Sequence, residues 1–511
     1  MTAWTLEKPV NQKNNPNIVL AVLCTGIFLA AVDQTVVVTV LPQIVSDLQN
    51  GFSSAGVERA GWIVTAYLTG YTIMLPLMGR VADLHGHRRT YNLAMAIFAA
   101  GSLMCALTPN LFFLVGFRAI QAVGGGAVLP IALAVVGDRF PSGKRALALG
   151  IIGAAAEAGG VLGPLYGSLI GQYLGWRAIF YLNIPLVLLI IWLMRRYVAE
   201  SGRRGSRVDW RSGALLAAAL GLATAGVSGA REAGWLVFGG PLLALSIGFL
   251  AGFIFSVKRA EHPLIDFSMF RSRSFSAANA AHFLLGVALI TALAQVPVFA
   301  YSAGWPETAD VSPLRGGLLL IRLTLLIPVG AVLGGLLSAR VSGRLAAVAG
   351  FCLSAFGLWR LSMWQTTVGD LRQTFDLMTS GIGFGLVIAP ISLAAIEALR
   401  RDRLASGASV LTASRITGMA VGLAALNSWG ITDFESTMSR FPAPLPQIGE
   451  SFSTYLNQIS AWEHRNIITI LGVFRDFFLI AAAACLLAVI PAILLFSGKR
   501  RPAGSNEDGF D

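Results

Sequence analysis

Two carboxylates of this chain stand where water does not easily reach. Asp33 lies within VDQTVVVTVLP (32–42) and Glu157 within ALALGIIGAAAEAGGVLGPLYGSLIG (146–171), both deep in apolar runs. An ionised side chain at membrane depth costs about 3 kcal/mol even on the lenient insertion scale. Such a group pairs with a cation or takes up a proton. Desolvation favours the protonated form and a nearby cation opposes it, so a change of surroundings tips the balance. That is the chemistry of a proton switch. Asp33 sits about fifteen residues, about 22 Å at helical rise, into the run that opens at Ile18. Four arginines share this setting: Arg118, Arg322, Arg360 and Arg415. Glu157 and Arg415 each lie about eleven residues, about 16 Å, from the start of their runs. Equal depth makes them a candidate pair, with Arg322 as the alternative partner. The plainer readings are that Asp33 caps or pairs a neighbour, and that Glu157 and Arg360 snorkel.

Composition says what must hold these groups. Of 511 residues, 55% are hydrophobic and 13% charged, with a mean hydropathy of +0.69. A soluble domain of this length needs no such apolar surface. Cys24, Cys105, Cys352 and Cys485 lie far apart in apolar runs and match no zinc, redox or disulfide spacing. No GxxxxGK[ST] phosphate loop occurs, and no nucleophile–base pair or metal cluster stands at catalytic spacing. An enzyme, metal or nucleotide chemistry is therefore not expected.

Fourteen apolar runs follow one another, at 18–41, 61–80, 91–107, 111–136, 146–170, 175–194, 213–230, 235–257, 275–300, 312–338, 345–364, 376–397, 404–432 and 473–497. Most have the length a membrane crossing requires. With the N-terminus inside, the basic clusters all fall in cytoplasmic loops, among them Arg80/Arg88/Arg89, Arg195–Arg211, Arg400/Arg401/Arg403 and Lys499/Arg500/Arg501. The net charge of +12 is thus topology and attraction to anionic lipid, not nucleic-acid binding. The expected fold is an all-α integral membrane protein with both termini cytoplasmic, divided six, two and six. The parts are a tail (1–17), a first six-helix bundle (18–196) and a link (197–274) with accessory spans 213–230 and 235–257. A second bundle (275–497) follows, with an extracytoplasmic extension at 433–472, then a tail at 498–511.

The motifs resemble the fourteen-span drug:proton antiporter branch of the major facilitator superfamily, over nearly the whole chain. VDQTVVVTVLP is similar to that branch's first-span pattern, with Val38 and Val40 in place of its Asn and Ala. After the second span, Gly79, Asp83, Gly86, Arg88 and Arg89 match the superfamily's loop signature, with His87 where Arg is usual. RAIQAVGGGA (118–127) carries the Arg and Gln of the proton-linked pattern, and Gly159, Gly163, Pro164 and Gly167 match the antiporter motif, with Ser168 for its final Gly. WRAIFYLNIPL (176–186) resembles the branch's sixth span.

The resemblance implies alternating access driven by a proton gradient, without cofactor. Asp33 and Glu157 become its proton-coupling residues, Arg118, Arg415, Arg322 and Arg360 their cation partners. Asp83 with Arg88 and Arg89 becomes a cytoplasmic latch. The expected function is export of hydrophobic or amphipathic compounds by a monomer in a bacterial plasma membrane. One feature departs from that plan. Beyond FPAPLPQIG (441–449), Phe452, Leu456, Ile459, Trp462, Ile467, Leu471 and Phe474 recur at helical spacing. A helix from 452 to 496 would be about 65 Å long, twice the hydrocarbon thickness. The extension resembles that of a lipid-exporting mycobacterial subgroup. It implies export of lipid, such as a triacylglyceride-like one, past an extracytoplasmic lipid-carrying protein. A packed loop without such a role is the other reading. A different class altogether is a membrane sensor or assembly factor that does not transport.

Overall fold

The computed structural model describes residues 15–48, 54–140, 142–200, 209–229, 235–260, 265–302, 313–399, 404–440, 443–445 and 451–495. Nearly all of both tails lies outside them, as do 201–208, the Arg231–Gly234 turn, most of 441–449 and the side chains of Gly79 and Asp83. The described residues form α-helices and no strand. Helices α1 (Pro16–Leu48), α2 (Ser54–His85), α3 (His87–Ala106), α4 (Leu111–Arg139), α5 (Ser142–Leu174) and α6 (Trp176–Tyr197) make one bundle. Helices α9 (Arg273–Ser302), α10 (Pro313–Thr324), α11 (Leu326–Leu337), α12 (Gly343–Leu361), α13 (Asp370–Glu397), α14 (Leu404–Met438) and α15 (Phe452–Leu494) make another. Between them, α7 (Trp210–Gly229) and α8 (Gly240–Arg259) pair with each other, and α7 rests on both α2 and α14. Among the described residues eleven stretches are long and apolar enough to cross a membrane. One of them, Gly316–Leu361, runs through α10, α11 and α12.

Small residues set how closely these helices approach. Along α5, Gly159, Gly163 and Gly167 lie on the backbone of α1. A Cβ on Gly159 would come 2.5 Å from the Phe28 carbonyl oxygen, and one on Gly163 would come 2.8 Å from that of Val32. The proline between them has its own consequence. Pro164 has no N–H to give to the carbonyl of Gly160, four residues back, and in hydrocarbon a carbonyl without a donor is costly. Thr35 of α1 supplies the donor: its Oγ1 gives a 3.0 Å hydrogen bond to Gly160 O. The carbonyl that Pro164 leaves open is thus satisfied from the neighbouring helix.

The tenth apolar run is broken where its sequence requires it. Pro328 removes the donor for Thr324 O, and the helix is interrupted at Leu325, separating α10 from α11. Both arms of the extension are helical. Helix α14 has 35 residues and α15 has 43, about 52 and 65 Å at helical rise, against a hydrocarbon thickness of about 30 Å. On α15 the first buried residue is Phe474, while Phe452 is 75% and Leu456 45% exposed.

The glycine face of α5 gives a paired test. Replacing Gly163 with Val overpacks a backbone contact and should destabilise by about 1–3 kcal/mol, lowering the apparent melting temperature in detergent by several degrees. G160A, where a Cβ meets nothing within 4 Å, should leave it unchanged; equal effects would refute the close-contact role.

Candidate functional site

The predicted side chains fall into separate clusters, each built by the elements around it. Asp33 lies at the heart of the first bundle, 1% exposed against a fully buried Arg118. Arg118 Nη1 donates to Asp33 Oδ2 at 2.5 Å, and Nη2 to the Asp33 carbonyl at 3.0 Å. The other carboxylate oxygen accepts from Gln121 Nε2 at 3.1 Å and Asn183 Nδ2 at 3.0 Å. Asn183 also donates to Ser102 Oγ, and Gln121 Oε1 accepts from Arg118 Nη1 at 2.8 Å. The guanidinium lies over the Tyr67 ring, 4.0 Å from its centroid, which adds a cation–π attraction. This network draws on α1, α2, α3, α4 and α6.

The sequence of α4 makes that convergence possible. Asn110 caps the helix, its Oδ1 accepting from Phe113 N–H at 3.1 Å. Gly124 and Gly126 then let α3 and α2 meet the α4 backbone: a Cβ on Gly126 would come 2.6 Å from Tyr71 O, and one on Gly124 would strike the α3 backbone at Ala94.

Glu157 is placed differently. Its Oε1 accepts from Arg415 Nη1 at 2.5 Å across the seam between the bundles, with side-chain exposures of 31% and 12%. Of the two partners weighed from depth, the structure brings Glu157 to Arg415. The pair borders a cavity of about 40 Å³ whose other walls are mostly apolar, including Val161, Leu285, Leu289, Leu293, Ile327 and Phe384. Gln34, Thr35 and Thr324 add its remaining polar groups. Such a space holds about three waters and no lipid chain. Glu157 therefore faces a cavity while Asp33 is sealed away.

Two expected roles need correction. Arg322 is not the partner of Glu157; its Nη1 donates to Asp370 Oδ1 at 2.7 Å and to Thr374 Oγ1 at 2.9 Å. Arg360, expected as a cation partner of Asp33 or Glu157, pairs with a third carboxylate instead of them and does not simply snorkel. Its Nε donates to Asp376 Oδ1 at 2.9 Å, Trp364 Nε1 donates to Oδ2 at 3.1 Å, and Arg372 stands 3.7 Å away. Asp376 is fully buried and was missed by the sequence reading, which placed it at the edge of a run. The signal was there: a carboxylate four residues after Arg372, with Arg360 sixteen residues before it.

The loop signature is also met by an unexpected residue. Gly86 has φ 93°, which glycine adopts without strain. Glu200, just past α6, sits at the exposed start of α3: its Oε1 accepts from Arg88 N–H at 3.1 Å, and Oε2 lies 3.5 Å from Arg88 Nε and 3.7 Å from Arg89 Nε. An anion belongs at a helix N-terminus. A Cβ on Gly86 would stand 2.5 Å from the same carboxylate. The carboxylate that meets these arginines is thus Glu200; the Asp83 side chain lies outside the described residues. At the far end of the bundle, Trp176 Nε1 and Arg177 Nη1 both donate to Asp47 Oδ2 at 3.0 and 2.5 Å, which ties α6 to the end of α1.

Two helical bundles that meet at a partly buried ion pair beside a cavity fit a membrane transporter. Comparisons with known proteins agree. Residues 23–423 match the Major Facilitator Superfamily, and the chain belongs to that family. It is 32% identical over 505 residues to a triacylglyceride transporter of Mycolicibacterium hassiacum, covering 95% of this chain and 93% of the relative. A triacylglyceride transporter of Mycobacteroides abscessus is 37% identical over 443 residues, covering 83% and 84%. One of Mycobacterium tuberculosis H37Rv is 32% identical over 503 residues, covering 94% and 95%. Among solved structures, an inward-facing, unoccupied bacterial homolog of the human lysosomal transporter Spinster aligns with a TM-score of 0.65 at 16% identity, over 96% of this chain and 100% of that one. That likeness carries the fold alone.

The Asp33 network makes a stability prediction. R118M leaves a buried carboxylate without its cation and should cost about 3–5 kcal/mol. Adding D33N to R118M should recover a large part of it. Thermal unfolding of the purified variants decides this; a double variant no more stable than R118M would count against the pairing.

Proposed function

We propose that this protein is a proton-coupled exporter of triacylglyceride-like neutral lipid that works by alternating access. The observation that carries the reading is the lining of the cavity between the bundles: apart from Gln34, Thr35 and Thr324 its walls are apolar, and its charged residues are Glu157 and Arg415; a lipid chain enters it only once the bundles part. A neutral, apolar cargo asks for no further fixed charge there. The curated relatives named as triacylglyceride transporters extend over nearly the whole chain, which favours lipid over drug as cargo. The extended α14–α15 hairpin accords with it. Efflux of amphipathic drugs is a second reading, favoured by the Gly159/Gly163/Pro164/Gly167 face of α5.

In this proposal the chain makes fourteen crossings, six, two and six. Helices α10 and α11 together form one, and α3 and α5 each form another. The basic loops place both termini in the cytoplasm and the hairpin outside. Water reaching the cavity delivers a proton to Glu157. A neutral Glu157 no longer holds the Arg415 guanidinium, the bundles part, and the opposite access state follows. The proton gradient supplies the energy, and no cofactor takes part. Asp33 with Arg118 holds the first bundle rigid and is the second candidate for protonation. The protein acts as a monomer in a bacterial plasma membrane and hands its cargo to an extracytoplasmic lipid-carrying protein at the hairpin.

The test is flux of a fluorescent triacylglyceride out of proteoliposomes under an imposed proton gradient, with a lipophilic cation run in parallel. Lipid flux should follow the gradient, fall at least tenfold in E157Q and R415Q, and recover in part in the swapped E157R/R415E. Gradient-driven flux of the cation alone would replace this reading with drug:proton antiport. Lipid flux indifferent to the gradient would remove the coupling.

A further inference from the structure

Helices α9 and α14 cross at backbone contact. A Cβ on Gly286 would strike the carbonyl oxygen of Arg415, and one on Gly418 that of Phe283. One turn before Gly286 stands His282, 4% exposed. Its Nδ1 lies 3.1 Å from the carbonyl oxygen of Leu411. A carbonyl only accepts, so Nδ1 carries the hydrogen and the neutral ring keeps a lone pair on Nε2. Leu411 O is also the carbonyl that the backbone N–H of Arg415 reaches, one helical turn on. The imidazole is therefore fixed to the turn of α14 that carries Arg415, and the Arg415 charge bears on it. Among the described residues, His282 Nε2 has no hydrogen-bond partner, and neither has Arg415 Nε. On this crossing of α9 and α14, then, one buried acceptor and one buried donor are each left without a partner.

We infer that His282 is a positioning residue for the switch: when Glu157 takes up a proton, the Arg415 guanidinium turns onto His282 Nε2. The inference rests on the proton-switch reading of Glu157 given above. Release of Glu157 would otherwise strand a guanidinium in a largely apolar space, and an ion without a partner there opposes its own release. A neutral acceptor one turn away removes that obstacle. It also keeps the arginine from drifting, so the pair re-forms when Glu157 loses its proton. His282 must be neutral in both states, since a charged ring would repel Arg415.

The ionisable surroundings permit this. On α14 the Arg415 charge bears on the ring; on α2, packed against α14, the buried Tyr71 hydroxyl is reached by the same charge and is engaged by Gln34; Glu157 on α5 meets Arg415 from across the seam. On α1, Asp33 is held by Arg118. On α10 and α13, Arg322 and Asp370 are paired and Asp376 is held by Arg360 and Arg372, all towards the outer end, while Glu397 ends α13 on the inner side. On α15, Arg475 and Asp476 stand near the outer surface and contact each other.

The experiment reads the pH at which Glu157 is half protonated. The signal is the protonated-carboxyl band in infrared difference spectra of the full-length protein in proteoliposomes, assigned by its loss in E157Q. H282M keeps the volume and removes the strong acceptor; H282Q keeps an acceptor oxygen but does not titrate. Losing the acceptor penalises the state in which Glu157 is protonated, so the H282M midpoint should fall by at least one pH unit, with H282Q close to wild type. A midpoint unchanged in H282M, or shifted equally in both variants, overturns the role of His282 while leaving the switch intact. A carboxyl band that persists in E157Q overturns the switch and this inference together.

Discussion

A charge withdrawn from water must be met inside the protein, and this fold is arranged around the few places where that happens. Asp33 is met four times over, by Arg118, Gln121 and Asn183. The donors come from two further helices, and each is itself held by a neighbour. Pulling any one helix away from that centre would leave a polar group bare in hydrocarbon. Five of the six helices of the first bundle are thereby tied to one centre. The second bundle has its own centre at Asp376, shared by Arg360, Trp364 and Arg372.

Between the two bundles, the ion pair is a polar contact of a different kind. Glu157 and Arg415 join the bundles through a single hydrogen bond beside a cavity. Neither side chain is as thoroughly enclosed as the Asp33 pair. The Glu157 carboxylate borders a cavity and accepts one hydrogen bond from Arg415, whereas parting Asp33 from Arg118 would disturb the contacts of Gln121 and Asn183 as well. The contrast gives the two carboxylates, alike in sequence setting, different physical capacities. Thr35 links these regions, since it lines the cavity, neighbours Asp33 in sequence and satisfies the Gly160 carbonyl that Pro164 leaves open.

Much of this was legible in the sequence, for identifiable reasons. Apolar runs report crossings directly, because a bilayer fixes their length. The depths of Glu157 and Arg415, counted from basic loops, located a pair 258 positions apart because charge at a given depth has few possible partners. The long α15 was legible from its helical repeat beyond the membrane. Asp376 and Glu200 were not. Each sits at the end of an apolar run, where a carboxylate ordinarily faces water, and only the packing of other helices turns one inward and seats the other at a helix start. Arg322 failed for the same reason: depth alone did not show that Asp370, on a helix further along the chain, would reach it first. His282 gave no signal at all, since a histidine among apolar residues becomes informative only when its unpartnered nitrogen is seen beside an arginine.

The hairpin can be weighed by the energy a lipid cargo requires. Bringing a lipid chain into water costs about 0.8 kcal/mol per methylene, or about 13 kcal/mol for a sixteen-carbon chain. One elementary charge crossing the membrane returns about 2.3 kcal/mol per 100 mV. Three charges crossing at 100 mV would return about 7 kcal/mol, about half of what one such chain needs. If the cargo is a neutral lipid, the route beyond the membrane must itself be apolar. The projecting length of α15 offers such a surface: Phe452 and Leu456 stand exposed, with no buried residue before Phe474. Ile459, Trp462, Ile467 and Leu471 of the same repeat are half-buried, so the exposed positions of that repeat concentrate at the tip of the helix. Covered by an acyl chain or by an apolar surface, these exposed residues would leave contact with water, which offsets part of that cost.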